Sequence, residues 1–130
     1  MTAAAIKFYE MYNTHNIDML DELLAAGYVG NVNGREIIGV DAAKATVASF
    51  LAAFPDAHYT VEDMIASGDR VVTRWTATAT QRGPFAGIAP TNRRVTMRGI
   101  TIFKIVGTQI SALWNTWDMF GLIEQLRGSM

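Results

Sequence analysis

The sequence predicts an α+β domain in which helices are followed by a run of antiparallel strands. Two patterns predict it: apolar residues recur at helical spacing before His58, and from there onward β-branched and aromatic residues alternate with polar ones. The turn-forming pairs Gly68-Asp69 and Gly107-Thr108 separate the strands. We therefore expect one strongly curved sheet with helices against its concave side, and a conical pocket between them for a small molecule.

The first half of the chain contains the predicted helices. Residues 4–13 carry a broad apolar stripe and form the first helix, and a shorter second helix ends before Gly27. The polar stretch 30–39 suits a hairpin or short strands. Asp41 can cap a third helix over residues 42–53.

The second half contains the predicted strands. Residues 58–66, 70–80 and 95–106 each alternate in polarity, and the second of these strands has one clearly apolar face. A last strand begins after Gly107-Thr108. Residues 122–126 form a short terminal helix or a tail.

The composition excludes several classes of protein. A chain of 130 residues is one domain, and although 50% of the residues are hydrophobic, no stretch approaches the roughly 20 apolar residues of a membrane-spanning helix. The amino terminus lacks the basic start and apolar block of a secretory signal. We therefore expect one soluble, cytoplasmic domain over residues 1–130, with no membrane partner.

Charge and residue types exclude further partners. The net charge is −1 and the basic residues are scattered, unlike a nucleic-acid-binding surface. There is no cysteine, and neither His15 nor His58 has a second histidine or a carboxylate at metal-site spacing. The glycines do not form a phosphate-binding loop. We expect no nucleic acid, no metal and no cofactor.

One carboxylate, Asp118, stands among aromatic residues at the end of the last strand. Alternation places it on the same face as Ile110, Ala112 and Trp114, which would point it inward. An acid held there without a cation has a raised pKa and can serve as a general acid or base. The alternative is that Asp118 ends the strand in water and caps the turn at Gly121, and the pattern leaves both open.

Several segments, in a fixed order, resemble a known family. They are Asp56, residues 68–75, residues 83–91, residues 95–100 and residues 114–122. Together they resemble the SnoaL-like polyketide cyclases of the nuclear transport factor 2-like superfamily. The resemblance covers nearly the whole chain. It implies a cone-shaped domain whose curved antiparallel or mixed sheet and amino-terminal helices enclose a pocket.

The resemblance also implies a reaction. In these cyclases the carboxylate at the position of Asp118 acts as acid and base in a cofactor-free intramolecular aldol closure, in which an enolate attacks a second carbonyl. It implies that Tyr12 and Thr46 line the pocket. Tyr12 could equally be an ordinary half-buried aromatic residue, and Thr46 an ordinary small helix residue.

Apolar residues on alternating faces are further candidates for the pocket. Each of them favours core packing taken singly, but together they can form a slot for a flat, oily ligand. They are Trp75, Met97, Phe103 and Trp114; Phe50, on the buried side of the third helix, is a further candidate. Thr101 joins them, because it stands where some of the cyclases carry a histidine.

The chain departs from the family's pattern at two places. Thr101 replaces one histidine, and Gln81 replaces another that many relatives carry before the Gly-Pro-Phe loop. If those histidines stabilise the enolate, this chain lacks their help. Arg74 and Arg98 could substitute, but their parity opposes that of Trp75 and Met97, so we predict that both arginines face outward.

Two classes of function remain. The first is a cofactor-independent enzyme acting on a small hydrophobic carbonyl compound, as an aldol cyclase or an isomerase with Asp118 as the base, or, ranked lower, as an epoxide hydrolase. The second is a non-catalytic module that binds a lipophilic ligand. For either, Ile100, Ile102 and Leu113 on the convex sheet face predict a homodimer or a higher homo-oligomer.

Overall fold

The structure is a computed structural model that describes residues 2–128, and these contain four α-helices and six strands. A single turn of 3₁₀ helix, Ile17–Met19, lies between the first two helices. The helices are α1 (Ala3–Asn13), α2 (Leu20–Leu23), α3 (Val40–Ala53) and α4 (Met119–Arg127). The strands are β1 (Leu24–Val32), β2 (Arg35–Ile38), β3 (His58–Ser67), β4 (Arg70–Thr80), β5 (Arg94–Val106) and β6 (Gln109–Trp117).

The six strands form one curved, open, mixed sheet with the order β2-β1-β6-β5-β4-β3. Only β1 and β6 run parallel; the other neighbouring strands are antiparallel. The α+β class is therefore confirmed. No helix within residues 2–128 is both long enough and apolar enough to cross a membrane.

The second helix is shorter than the sequence predicts. It ends at Leu23, and the chain enters β1 at Leu24, so Gly27 lies within a strand rather than stopping a helix. Pairing with β6 outweighs the local helix preference of the alanines before Gly27. The predicted hairpin is present, with Asn33 and Gly34 at φ of 49° and 81° in the tight turn between β1 and β2.

The core lies between the inner face of the sheet and helices α1 to α3. Phe8 and Tyr9 of α1 contact Phe103 of β5, with ring centroids 5.3 and 6.0 Å apart. At the end of α1, the Asn13 side chain donates to the carbonyl of Tyr59 at 2.9 Å and accepts from its backbone N–H at 2.7 Å. These two hydrogen bonds hold the end of α1 against β3.

One extra residue in β6 changes the faces of that strand. Ile110 pairs with Ile105, but the next pair joins Ala112 to Lys104, so Ser111 lies outside the pairing register, although its hydroxyl donates to the carbonyl of Lys104 at 3.4 Å. Such a bulge reverses the alternation of the residues that follow it. Leu113, buried beside Phe103, therefore lies on the inner face, and its predicted place on the convex face is wrong.

Because of the same bulge, the predicted face of three other residues is also wrong. Trp114 and Asp118 are exposed on the outer side of the sheet, not turned inward, and Ala112 lies on that side as well. Asn115 and Trp117 occupy the inner register instead. The polar and aromatic residues that β6 contributes to the interior are thus not the ones that simple alternation selects.

Gly99 allows two tryptophans to meet on the inner face. A Cβ atom at this position would lie 2.7 Å from Cβ of Trp117 and 2.8 Å from Cε2 of Trp75. Because Trp75 is held in the core by its neighbours, its indole cannot move aside freely. Glycine is therefore required at this point of β5.

Replacing Gly99 with alanine should destabilise the fold by about 1–3 kcal/mol, because the added methyl group overpacks the two indoles. The measurement is urea unfolding followed by tryptophan fluorescence. Gly27→Ala is the matched control, since no atom lies within 4 Å of a Cβ built on that strand glycine. A Gly99→Ala protein as stable as Gly27→Ala would contradict the packing described here.

Candidate functional site

Polar side chains from three adjacent strands meet on the inner face of the sheet. The indole Nε1 of Trp75 on β4 donates to Oγ1 of Thr101 on β5 at 3.0 Å. Oγ1 of Thr101 in turn donates to Oδ1 of Asn115 on β6 at 3.1 Å. Direct pairing of Thr101 with Asn115 across β5 and β6 brings these two side chains together.

Helix α1 adds a tyrosine to this group. The hydroxyl of Tyr9 lies 2.6 Å from Oγ1 of Thr73, and Oγ1 of Thr73 donates to the backbone carbonyl of Thr101 at 3.4 Å. Since threonine has a single hydroxyl proton, Tyr9 is the donor in the first bond. We call Tyr9, Thr73, Trp75, Thr101 and Asn115 the inner polar cluster.

Five aromatic rings border the inner polar cluster. Ring centroids are 5.0 Å apart for Trp75 and Tyr59, 4.5 Å for Tyr59 and Tyr12, 6.5 Å for Tyr12 and Phe50, and 6.4 Å for Phe50 and Trp117. Trp75 and Trp117 flank Gly99, which pairs with both of them across β4, β5 and β6. We call these five rings the aromatic wall. Tyr12, Phe50 and Trp117 are only half-buried, so this side of the wall opens to solvent.

The tyrosines of the interior are electrically neutral. Desolvation by burial raises the pKa of Tyr9, Tyr12 and Tyr59, and raises that of Tyr28 to about 12. Each hydroxyl therefore keeps its proton at neutral pH and can donate it in a hydrogen bond. The inner polar cluster contains no carboxylate, ammonium, guanidinium or imidazole group, so its chemistry is that of uncharged donors and acceptors.

Stability should fall at alkaline pH because all four tyrosines of the chain are affected. In the unfolded chain they ionise near pH 10, while in the folded protein they hold their protons to higher pH. Stability from this source is complete below about pH 10 and is lost as the pH rises above it. Tyrosinate absorbance should appear together with loss of near-ultraviolet circular dichroism. A tyrosine that titrates near pH 10 in the folded protein would contradict this account.

Six predicted pocket residues lie on the interior side. Trp75, Met97, Thr101 and Phe103 are buried on the inner face of the sheet, while Tyr12 on α1 and Phe50 on α3 are half-buried in the aromatic wall. Met97 and Phe103 have at most 1% of their surface exposed and serve as core. The other four border the inner polar cluster or belong to it.

Thr46 and Trp114 lie outside the interior, contrary to their prediction as pocket residues. Thr46 is exposed on α3 because the buried stripe of that helix runs through Ala43, Val47 and Leu51, and its hydroxyl donates to the carbonyl of Ala42 at 2.9 Å. Trp114 is 41% exposed on the outer sheet face, where the guanidinium of Arg70 lies 5.5 Å from its ring.

Asp118 also lies outside the interior. It is the N-cap of α4, where its Oδ1 accepts from the backbone N–H of Gly121 at 2.8 Å. The structure therefore agrees with the capping alternative of the sequence analysis, and the predicted inward register is wrong because of the bulge at Ser111. Its carboxylate borders an open groove of about 450 Å³ on the outer face, beside Arg98 and Thr116.

Three further residues complete the comparison with the sequence. Arg74 and Arg98 face outward, as predicted from their parity. Gln81 is fully buried and holds the following loop: its Nε2 donates to the carbonyls of Gly83 and Ile88, both at 3.1 Å. Gln81 is thus a structural residue here.

Sequence reasoning missed Tyr9, Thr73, Asn115 and Trp117 as site residues. Thr73 has the same parity as Trp75 on β4, so the alternation of that strand is enough to predict its inner position. Asn115 and Trp117 could be found only by allowing for the bulge. Within residues 2–128, no three histidine, aspartate or glutamate side chains lie close enough together to hold a metal ion.

Comparison with known proteins assigns this architecture to a family. The family model described as SnoaL-like polyketide cyclase matches residues 3–126. No curated protein matches the chain.

Solved structures give the same fold. AclR from Streptomyces galilaeus, described as a candidate hydroxylase, is 25% identical with a TM-score of 0.88, over 99% of this chain and 96% of that one. IdmH from Streptomyces antibioticus, described as a candidate polyketide cyclase, is 25% identical with a TM-score of 0.86, over 97% of each chain. A candidate polyketide cyclase from Acidithiobacillus ferrooxidans is 29% identical with a TM-score of 0.86, over 98% of this chain and 94% of that one.

Proposed function

This chain belongs to the SnoaL-like polyketide cyclase family, and we propose that it promotes ring closure or isomerisation of a small hydrophobic carbonyl compound without a cofactor. The proposed substrate lies against the aromatic wall with its carbonyl group toward the inner polar cluster. The observation that carries the proposal is the position of uncharged hydrogen-bond donors directly beside the half-buried rings.

The proposed mechanism is electrophilic. A donor of the cluster binds the carbonyl oxygen and favours formation of the enolate, because it stabilises the negative charge that develops on that oxygen. The carbon-bound proton passes to water. The enolate carbon then attacks the second carbonyl of the same molecule, and the new alkoxide takes a proton from water. The apolar wall holds the two carbonyl groups close together, which replaces a bimolecular encounter by an intramolecular one.

A different assignment keeps Asp118 as the base. It requires the reacting carbon to lie in the outer groove, where the carboxylate is exposed and already accepts the N–H of Gly121. The groove has apolar lining residues, among them Ile100 and Trp117, but water solvates a charge in such an open site and weakens the carboxylate as a base. We therefore favour the interior and keep the groove as the alternative location.

A second function is a non-catalytic module that binds a lipophilic ligand at the same wall. One observation favours it: the inner polar cluster contains no side chain that can act as a general base. The binding step is common to both functions. Turnover of a carbonyl compound that has an acidic methylene group separates them.

The three tryptophans of the chain can locate the ligand. Titration with 1-tetralone, followed by the indole N–H resonances in nitrogen-15 NMR, should shift the signals of Trp75 and Trp117 and leave that of Trp114 in place. Phe50→Ala should weaken binding about tenfold or more by removing a half-buried ring of the wall. Asp118→Asn, which retains a good N-cap residue, should bind as the wild type does.

Other outcomes of that titration have definite meanings. Trp75 and Trp117 also border the outer groove, so the variants decide between the two locations: loss of binding in Asp118→Asn, with wild-type binding in Phe50→Ala, would move the site to the outer groove. A shift confined to Trp114 would place the ligand elsewhere on the outer sheet face, beside Arg70. Absence of any shift with 1-tetralone and with larger polycyclic ketones would contradict both proposed functions.

We also propose that the outer sheet face joins two copies of the chain. Ile65, Val72, Ile102 and Trp114 pair in sequence across four strands and form an apolar row. Ile65, Ile102 and Trp114 are exposed; Arg70 and Lys104 flank the row on one side, and Arg74 and the exposed Ile100 flank it on the other. An apolar stripe with a charged rim suits a self-complementary contact around a twofold axis.

Sedimentation velocity should therefore give a dimer at micromolar concentration. Ile102→Lys should shift the protein to monomer, since it places a charge at the centre of the row that the proposed dimer buries. Thr46→Lys, on the exposed face of α3, is the control and should remain dimeric. A wild-type protein that sediments as a monomer would contradict the proposed interface.

A further inference from the structure

The hydrogen bonds of the inner polar cluster have a fixed direction. An indole N–H can only donate, so Thr101 Oγ1 accepts from Trp75 at 3.0 Å. The single proton of that hydroxyl is then free to be donated. It goes to Oδ1 of Asn115, 3.1 Å away.

This direction fixes the orientation of the Asn115 amide. If the amide were reversed, Thr101 would accept from both Trp75 and Asn115, and its own proton would lose this acceptor. With Oδ1 held by Thr101, the Nδ2 group points away from it, and its N–H bonds meet no hydrogen-bond acceptor within residues 2–128. Asn115 is half-buried on the inner face, two residues from Trp117 of the aromatic wall.

We propose that Nδ2 of Asn115 is the donor to the carbonyl oxygen of the ligand, and that Thr101 is the positioning residue that keeps this N–H facing the ligand. The inference rests on the proposed function and names the atom that selects the ligand. The class of ligand follows from it: an uncharged ketone or ester oxygen that can accept a hydrogen bond.

Thr101 acts through Asn115 and not through contact with the ligand. A valine at this position has nearly the same shape but neither accepts from Trp75 nor donates to Asn115. The amide is then free to rotate and to present Oδ1, which repels a carbonyl oxygen. Serine keeps the hydroxyl group and should keep the orientation.

A matched pair of ligands tests this. The probes are 1-tetralone, labelled with carbon-13 at its carbonyl, and tetralin, which has the same ring system without the oxygen. In the wild type, binding should move the carbonyl resonance in the direction of hydrogen-bonded ketones. Asn115→Leu and Thr101→Val should each weaken 1-tetralone binding about threefold to tenfold and leave tetralin binding unchanged. Thr101→Ser should restore both the affinity and the carbonyl shift.

The possible failures are distinguishable. If the wild type binds neither probe, the proposed function fails and this inference falls with it. If the wild type binds both probes but the carbonyl shift persists in Asn115→Leu, the inference alone is overturned. Equal weakening of both probes in the variants would assign Asn115 and Thr101 a packing role only, and their thermal unfolding curves would confirm that the variants are folded.

Discussion

One unpaired residue in β6, Ser111, determines what the interior of this protein contains. Before it, Ile110 lies inside; after it, Leu113, Asn115 and Trp117 do. Without the bulge, the strand would place Trp114 and Asp118 under the helices, and the interior would hold a carboxylate. With it, the inner face carries an amide, and the acid lies outside as a helix cap. The chemistry available to a ligand follows from this shift of register.

The buried tyrosines that helix α1 contributes are consistent with an uncharged interior. Tyr9 and Tyr12 reach the sheet from α1, and their burial keeps their hydroxyl groups protonated. A lone carboxylate among them would be costly to desolvate. The polar atoms instead form a hydrogen-bonded chain from Trp75 through Thr101 to Oδ1 of Asn115, which leaves the Asn115 NH2 group as the proposed donor to a ligand. The proposed recognition of a ligand oxygen therefore involves no charged side chain of the cluster.

The sequence predicts the helices α1 and α3 and the strands β3 to β6, because each has a clear period and a turn signal at its ends. It does not predict the strand β1 at Leu24, where pairing with β6 outweighs local preference. Nor can it choose the inner face of β6, since apolar residues stand at both parities: Ile110 and Trp114 at one, Leu113 and Trp117 at the other. Alternation in the sequence therefore predicts only part of the candidate site. Trp75 on β4 and Thr101 on β5 come from strands with clean alternation, whereas the inner position of Asn115 on β6 depends on the bulge.

The shared fold does not decide the reaction by itself. Structures of nearly the same shape are described as a candidate hydroxylase and as candidate cyclases, so the reaction has to be argued from the side chains of each site. The proposed mechanism gives the inner polar cluster of this chain the polarisation of a carbonyl and not the removal of a proton from carbon, because the cluster consists of uncharged groups. A substrate whose methylene group lies between two carbonyls needs only the polarisation of a carbonyl. Once one carbonyl is polarised, the methylene proton is acidic enough for water to take. The proposed reaction is therefore limited to compounds that carry their own activating groups.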